Sequence, residues 1–524
     1  MEKPATDIYT FENLRKAEFT YIDKTDLIIP LVNDSIGRQF FLSRPRRFGK
    51  SLLVTTLQAL FEGKRELFEG LAIEPKWDWT KKWPVIRLDM GTAQTANLGE
   101  FREFLSQLLK SEANRLGVPF VENPLPSVSF RNLIESVAKT SEDGHCVVLI
   151  DEYDKPLLGH LGKPDVLQFR DELKPFYGVV KYTEGYQRFT FITGISKFSK
   201  VSIFSDLNNL KDRTMEKGQA TLLGYTHEEV RKYYPNKLKE LAKANGLSDE
   251  AAFNQLLKRY NGYKFHVDAE KVINPVSLGM CLESGEFRNY WAATAVPTFL
   301  VDILEQYPKD LRLTRMTEDQ LGAYEPDKLD LTVLMFQTGY LTIDSCRVIG
   351  EQRYYTLDFP NNEVRNSFLS RASMRYTHLG DRKADTAQID CIEALYARDL
   401  DKFFKVFKCL FANMPYDLTA KDPENVYQAI MASILWFIGI GCQTEVHTND
   451  GAIDAVFETD RDIYVLEFKR DESAQSALDQ IRDKKYCDKY LLASKPVTAI
   501  GVNFDAENRT VGEWLAVPAT ELVR

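Results

Sequence analysis

What the 524-residue chain lacks narrows its class first. No two of its seven cysteines (Cys146, Cys281, Cys346, Cys391, Cys409, Cys442 and Cys487) form a Cys-x-x-Cys pair. Scattered, odd-numbered thiols argue against a disulfide framework and a thiolate zinc site, and for a reducing, cytoplasmic location. The first seven residues, Met-Glu-Lys-Pro-Ala-Thr-Asp, hold no apolar signal core. The longest apolar run, Ile430 to Cys442, is too short to cross ~30 Å of hydrocarbon at ~1.5 Å per residue, so it reads as a buried helix. Positive charge is not in excess either: 67 Lys and Arg against 76 Asp and Glu give a net charge of −9, so any nucleic-acid contact must come from a local patch. There is no low-complexity segment and no internal repeat. With 44% apolar and 27% charged residues, the composition is that of a globular chain of several domains.

Near-continuous apolar runs recur at Gln39–Leu42, Val85–Leu88, Cys146–Ile150 and Phe189–Ile192. Helical patterns lie between them, notably Ser51–Phe61 and Leu98–Asn114. That alternation predicts an α/β fold with a parallel sheet covered on both faces. Residues 226–325 read as helical, opening at Thr226-His-Glu-Glu229. Short strands at Gly339–Ile343 and Arg353–Leu357, flanked by helices, suggest a winged-helix-like module. Residues 385–410 give one amphipathic helix or two. From about 420 the order becomes helix, strand, strand, helix.

Two constellations carry chemistry. Ser43-Arg-Pro-Arg-Arg-Phe-Gly-Lys-Ser51 follows a strand and opens a helix. It fits the phosphate-binding pattern Gly-x-x-x-x-Gly-Lys-[Ser/Thr] at Gly49, Lys50 and Ser51, but has Arg44 where the first glycine belongs. Gly49 lets amides close around a phosphate, Lys50 reaches the β- and γ-phosphates, and Ser51 ligates Mg²⁺. The plainer reading is a strand-to-helix turn with a surface lysine. The run Val147-Val-Leu-Ile-Asp-Glu152 puts two acids at a strand's C-terminal end, where α/β sheets bind ligands. There Asp151 would hold Mg²⁺ and Glu152 would activate the attacking water; a solvated strand end is the alternative. Thr193 or Ser196, after the Phe189 strand, is a candidate γ-phosphate contact or an ordinary turn residue. Arg46 and Arg47 are phosphate contacts or solvated; nothing selects among Lys197, Lys200 and Arg213.

The second constellation is Gly451-Ala-Ile-Asp-Ala-Val-Phe-Glu-Thr-Asp-Arg-Asp-Ile-Tyr-Val-Leu-Glu-Phe-Lys469. Period-two alternation puts Asp454 and Val456 on one face of a first strand, and Val465, Glu467 and Lys469 on one face of a second. A hairpin closing on Thr459–Asp462 sets Asp454 opposite Glu467. Their Cβ atoms would be ~5 Å apart, a repulsion that a divalent cation relieves. Lys469 shares that face and is placed to position water or balance phosphate charge. Glu424, after Asp422-Pro423, lies in the first turn of a helix and either joins the metal or complements the helix dipole. Gln480 and Lys484 share a helix face, functional or solvated. From 469 to 489 six basic and five acidic residues give no strong phosphate-attracting field.

These stretches resemble a bacterial family that joins an AAA-ATPase-like domain to a C-terminal domain of the PD-(D/E)xK nuclease superfamily. The resemblance also rests on Tyr21-Ile-Asp-Lys-Thr25, Val148 to Pro156, Thr193 to Lys200, Leu207 to Leu210, Asn289-Tyr-Trp291 and Gln480 to Tyr486. It implies a P-loop sheet with the Thr193 strand between those of Gly49 and Asp151, a helical lid, and a metal-dependent nuclease core. Ala452 stands where such nuclease motifs more often carry Arg. Arg44 weighs against efficient hydrolysis, because a side chain stands where the loop begins. The expected domains are 1–225 (P-loop), 226–325 (lid), 326–410 (winged-helix-like and helical connector) and 411–524 (nuclease-like). The expected cofactors are ATP and Mg²⁺, with Mn²⁺ also suited to Asp454, Glu467 and Glu424. Nucleotide and nucleic acid (DNA ahead of RNA) are the expected partners, self-association is left open, and no membrane is involved. The competing reading keeps the nucleotide switch and makes the nuclease-like domain a non-catalytic binding module.

Overall fold

The computed structural model describes residues 2–33, 37–93, 95–197, 207, 209–291, 315–322, 330–368, 381–412, 441–448, 451–459, 461–490, 493–505 and 510–522. They fall into two compact units, one within Met1–Ala295 and Asp310–Val364, the other formed by the described residues of Arg365–Arg524. Glu424 and residues 430–440 of the expected buried helix lie outside the described residues. Gly441 and Cys442 already belong to a strand.

In the first unit the apolar runs become β1 (Gln39–Ser43), β2 (Val85–Asp89), β3 (Cys146–Asp151) and β4 (Gln187–Gly194), joined by a short β5 (Lys211–Asp212). The order is β2-β3-β4-β1-β5, and every pairing is parallel. β1 and β3 are buried along their whole length, as strands covered on both faces must be. Leu42 pairs with Thr193 and Asp89 with Asp151, so the C-terminal ends of these strands share one edge of the sheet. The expected helices span Lys50–Phe61 and Leu98–Leu116.

Thr226 and Glu229 cap the helix His227–Tyr233 reciprocally. With the helices Pro235–Ala244, Asp249–Tyr260 and Pro275–Ser284 it encloses its own core of Val230, Tyr234, Leu241, Leu256 and Leu278. A third element is the antiparallel sheet β6 (Arg315–Thr317), β8 (Gln352–Asp358) and β7 (Thr342–Ile349), in that order. β7 starts later than the sequence suggests. Gly339 is left-handed, φ 86°, and caps the helix Leu331–Thr338 instead of opening the strand.

The second unit has two helices where the sequence left one or two, Asp381–Tyr396 and Leu400–Ala412. Its sheet runs β13 (Thr510–Pro518), β12 (Val497–Asp505), β11 (Ile463–Arg470), β10 (Gly451–Glu458) and β9 (Gly441–Thr448). Only β11 and β12 are parallel. Phe403 packs beside Phe457, and Phe404 stacks on Trp514. Leu478 and Ile481, on the helix Ala474–Asp483, pack with Val456 and Val465. Ala455 pairs with Leu466 and Val456 with Val465, the register expected from the hairpin. No helix among the described residues is long and apolar enough to cross a membrane, and Cys146, Cys281, Cys346, Cys391, Cys409 and Cys487 are free thiols.

Candidate functional sites

The loop between β1 and Lys50–Phe61 is the first site. Gly49 has φ 89°, a conformation that glycine adopts without steric penalty, and Arg47 is also left-handed at φ 67°. This curls the loop over the N-terminus of the helix. Lys50 is buried, and its ammonium donates to the carbonyls of Arg44 and Pro45, 3.0 Å each. Burial pushes its pKa down, and the charges of Glu152, Asp151 and Asp154 oppose that.

Asp151 is 3% exposed at the end of β3. Burial lifts its pKa to about 6; the Ser51 hydroxyl bond and the Lys50 charge hold it back. The Glu152 amide donates to Asp151 Oδ1 at 2.9 Å, and Glu152 itself has φ 48°. The loop, Ser51, Asp151 and Glu152 therefore meet at one sheet edge.

A cavity of about 390 Å³ opens over the loop. Arg46, Gly49, Lys50, Ser51 and Glu152 line one side, and Ile8, Tyr9, Leu222 and Tyr225 are among its apolar walls.

Two sequence expectations change here. Thr193 reaches the correct edge, but it is fully buried and its hydroxyl donates to Leu42 O at 2.6 Å. Ser196 Oγ donates to Asp154 Oδ2 at 2.6 Å. Both protons serve the protein's own framework in this structure. Arg44, in turn, does not crowd the loop mouth, because its side chain runs into the protein interior. Among the undecided cations, Lys197 pairs with Asp212 and Arg213 with Glu216, each at 2.5 Å. Lys200 lies outside the described residues.

Two acids escaped the sequence reading. Asp89 ends β2 in register with Asp151 and raises its pKa further; an acid closing the neighbouring strand was the signal. Asp154, fully buried, accepts from the amides of Ile195 (3.1 Å) and Ser196 (2.6 Å). Gly194 makes room for it, since a Cβ there would lie 2.4 Å from Asp154 Oδ1.

The second site lies on β10, β11 and the helix Ala474–Asp483. The amide of Phe468 donates to Asp454 Oδ2 at 2.8 Å. The amide nitrogen of Gln480 donates to Glu467 Oε1, and Lys469 Nζ donates to Gln480 Oε1 at 2.5 Å. Asp454, Glu467, Lys469 and Gln480 thus form one cluster, whereas Lys484 is exposed at the end of the helix. Burial first, and the Asp454 charge second, push Glu467 up to about 8; Lys469 opposes them. Glu467 Oε2 is buried and has no hydrogen-bond partner.

That orphaned oxygen, beside a second carboxylate, fits a hard divalent cation such as Mg²⁺ or Mn²⁺. Among the described residues no three His, Cys, Asp or Glu side chains converge as a metal cluster, and the third candidate, Glu424, is outside them. Gly501 is the residue that sequence reasoning passed over. It pairs with Glu467, and a Cβ there would sit 2.2 Å from Ala474 O. Its missing side chain lets the helix descend so that Gln480 reaches Glu467. A lone glycine inside an apolar strand was the available signal.

Comparison with known proteins agrees with this division. Residues 5–204 match the family model of a predicted AAA-ATPase, and residues 422–514 match that of the PD-(D/E)XK nuclease superfamily. An uncharacterized protein encoded in the vnfD 5′ region of Azotobacter chroococcum mcd 1 is 34% identical over 516 residues, 96% of each chain.

Proposed function

The chain belongs to the family that joins an AAA-ATPase-like domain to a C-terminal PD-(D/E)XK nuclease superfamily domain, and on that footing we propose a cytoplasmic, ATP-controlled, metal-dependent phosphodiesterase acting on nucleic acid, DNA ahead of RNA. The observation that carries the cutting half is the unpartnered Glu467 oxygen beside Asp454.

At the P-loop, Lys50 exchanges two backbone carbonyls for the β- and γ-phosphates. Ser51 and Asp151 hold Mg²⁺, and Glu152 takes the proton of the attacking water. At the second site Asp454 and Glu467, with Glu424 as a further candidate, hold Mg²⁺ or Mn²⁺. The bound ion supplies charge neutralisation and acidifies water. Gln480 fixes both Glu467 and Lys469, and Lys469 orients water or steadies phosphate charge. The balanced charge of 469–489 favours a second reading, a nucleotide switch whose C-terminal fold binds without cutting.

The test is incubation of the full-length protein with labelled DNA and RNA, Mg²⁺ or Mn²⁺, with and without ATP. The wild type is expected to cut, and Asp454→Ala with Lys469→Ala is expected to bind ATP without cutting. Cleavage unchanged in that double variant removes the catalytic assignment. Nucleotide binding with no cleavage by the wild type selects the switch.

A further inference from the structure

Arg44 stands where the P-loop pattern has its first glycine, yet it is only 1% exposed. A buried guanidinium persists where its donors are met. Here backbone carbonyls take up both terminal nitrogens, while Nε has no hydrogen-bond partner. Nη1 donates to Ser43 O and Thr214 O, 2.8 Å each, and Nη2 donates to Gln219 O at 2.9 Å. The ring of Phe265 lies 4.0 Å from the guanidinium carbon. The acceptors belong to two stretches, the end of β1 and the segment after β5. That second segment runs on to Leu222–Tyr225, a wall of the cavity over the loop.

The backbone of the same residue faces the other way. The carbonyls of Arg44 and Pro45 hold Lys50 Nζ. Pro45 is itself wedged against Gly339, where a Cβ would come within 2.4 Å of Pro45 Cβ. A glycine at position 44 would keep the carbonyl and lose the peg.

We propose that Arg44 is a positioning residue that pegs the P-loop to the 214–219 segment, fixing at once the carbonyls that park Lys50 and the far wall of the nucleotide cavity. This rests on the nucleotide reading of that cavity. Arg44 acts through Lys50 and Leu222–Tyr225, not by touching phosphate.

Arg44→Gly restores the general pattern and so separates the two accounts. If the glycine were merely missing, its return would leave binding unchanged or tighten it. The peg requires the reverse. In full-length, folded protein, the Kd for a fluorescent ATP analogue rises about tenfold or more. Arg44→Lys falls between, and low guanidinium chloride restores part of the binding of Arg44→Gly but none of Lys50→Ala. A role in stability alone would lower Tm without such rescue. Should Arg44→Gly not fold, Phe265→Leu removes the ring under the guanidinium and is expected to raise Kd by a smaller factor. Unchanged Kd in Phe265→Leu, wild-type binding by Arg44→Gly, or absence of rescue overturns the proposal. A wild type that binds no better than Lys50→Ala refutes the nucleotide reading itself, and the peg falls with it.

Discussion

Asp151 and Glu467 are both buried carboxylates on a sheet, 3% and 2% exposed, but their surroundings answer them differently. Asp151 has the Ser51 hydroxyl, the Glu152 amide and the Lys50 charge around it, and its pKa rises only to about 6. Glu467 has the Asp454 charge beside it, opposed by the Lys469 charge, the Asp454 amide and the Gln480 side chain; its Oε2 has no hydrogen-bond partner, and its pKa rises to about 8. The first site is electrostatically balanced without a ligand. The second holds a repulsion that a cation removes. A phosphate loop can wait preformed because its lysine has carbonyls to occupy, whereas Lys469, held by Gln480, only partly offsets the charge of the facing acids.

The strongest way to break the contrast is to take away the balancing charge. Lys50→Ala leaves Asp151 and Glu152 with the Ser51 hydroxyl and the Glu152 amide but no opposing lysine charge, so the first site moves toward the second. ATP turnover is expected to fall about 10²- to 10³-fold, the loss typical of one preorganised charge-stabilising donor. Steady-state phosphate release measures it. Turnover within a fewfold of wild type would mean that Lys50 stays on its carbonyls throughout.

A smaller effect sharpens the other side. Gln480 touches Glu467 and Lys469 and would not contact the cation itself. Gln480→Ala frees both side chains, and Mn²⁺ affinity measured by calorimetry is expected to drop about 10- to 100-fold, the range for supporting residues around a metal. Unchanged affinity would show that the two carboxylates are held in place without it.

Much of this was legible in the sequence, for physical reasons that differ by element. Strands buried on both faces announce themselves as apolar runs, so β1, β3 and β4 were readable. The β10–β11 register, Ala455 with Leu466 and Val456 with Val465, followed from period two and a short turn, because a one-residue slip would turn every side chain over. The roles of Thr193 and Arg44 were not readable. Whether a hydroxyl faces a ligand or the carbonyl of Leu42, and whether an arginine lies in a loop mouth or among the carbonyls of Thr214 and Gln219, depends on segments some 150 to 175 residues away in the chain. Gly501 and Gly339 were hidden because a close approach is a property of the partner element, not of the glycine.

Glu363 extends the comparison to a buried acid remote from both constellations. It is 1% exposed in the first unit, accepts from the Trp291 amide at 2.7 Å, and has further donors in Ser277 and the Tyr290 amide. Burial outweighs these donors and the Arg259 charge, lifting its pKa from 4.5 to about 7. The folded protein therefore keeps a proton that the unfolded chain releases. Its contribution to stability is complete below pH 4.5 and is lost as pH rises through about 7. A loss on the order of 2–3 kcal/mol is expected across that window. Urea midpoints at about pH 5 and about pH 7.5 measure it, with Glu363→Gln as the proton-independent reference. The gap between the two proteins should shift toward the glutamine variant at the higher pH. A gap that stays constant would show that the donors around Glu363 carry its charge and that burial does not hold its proton. A gap that widens would place it with Glu467, as an acid that burial keeps protonated.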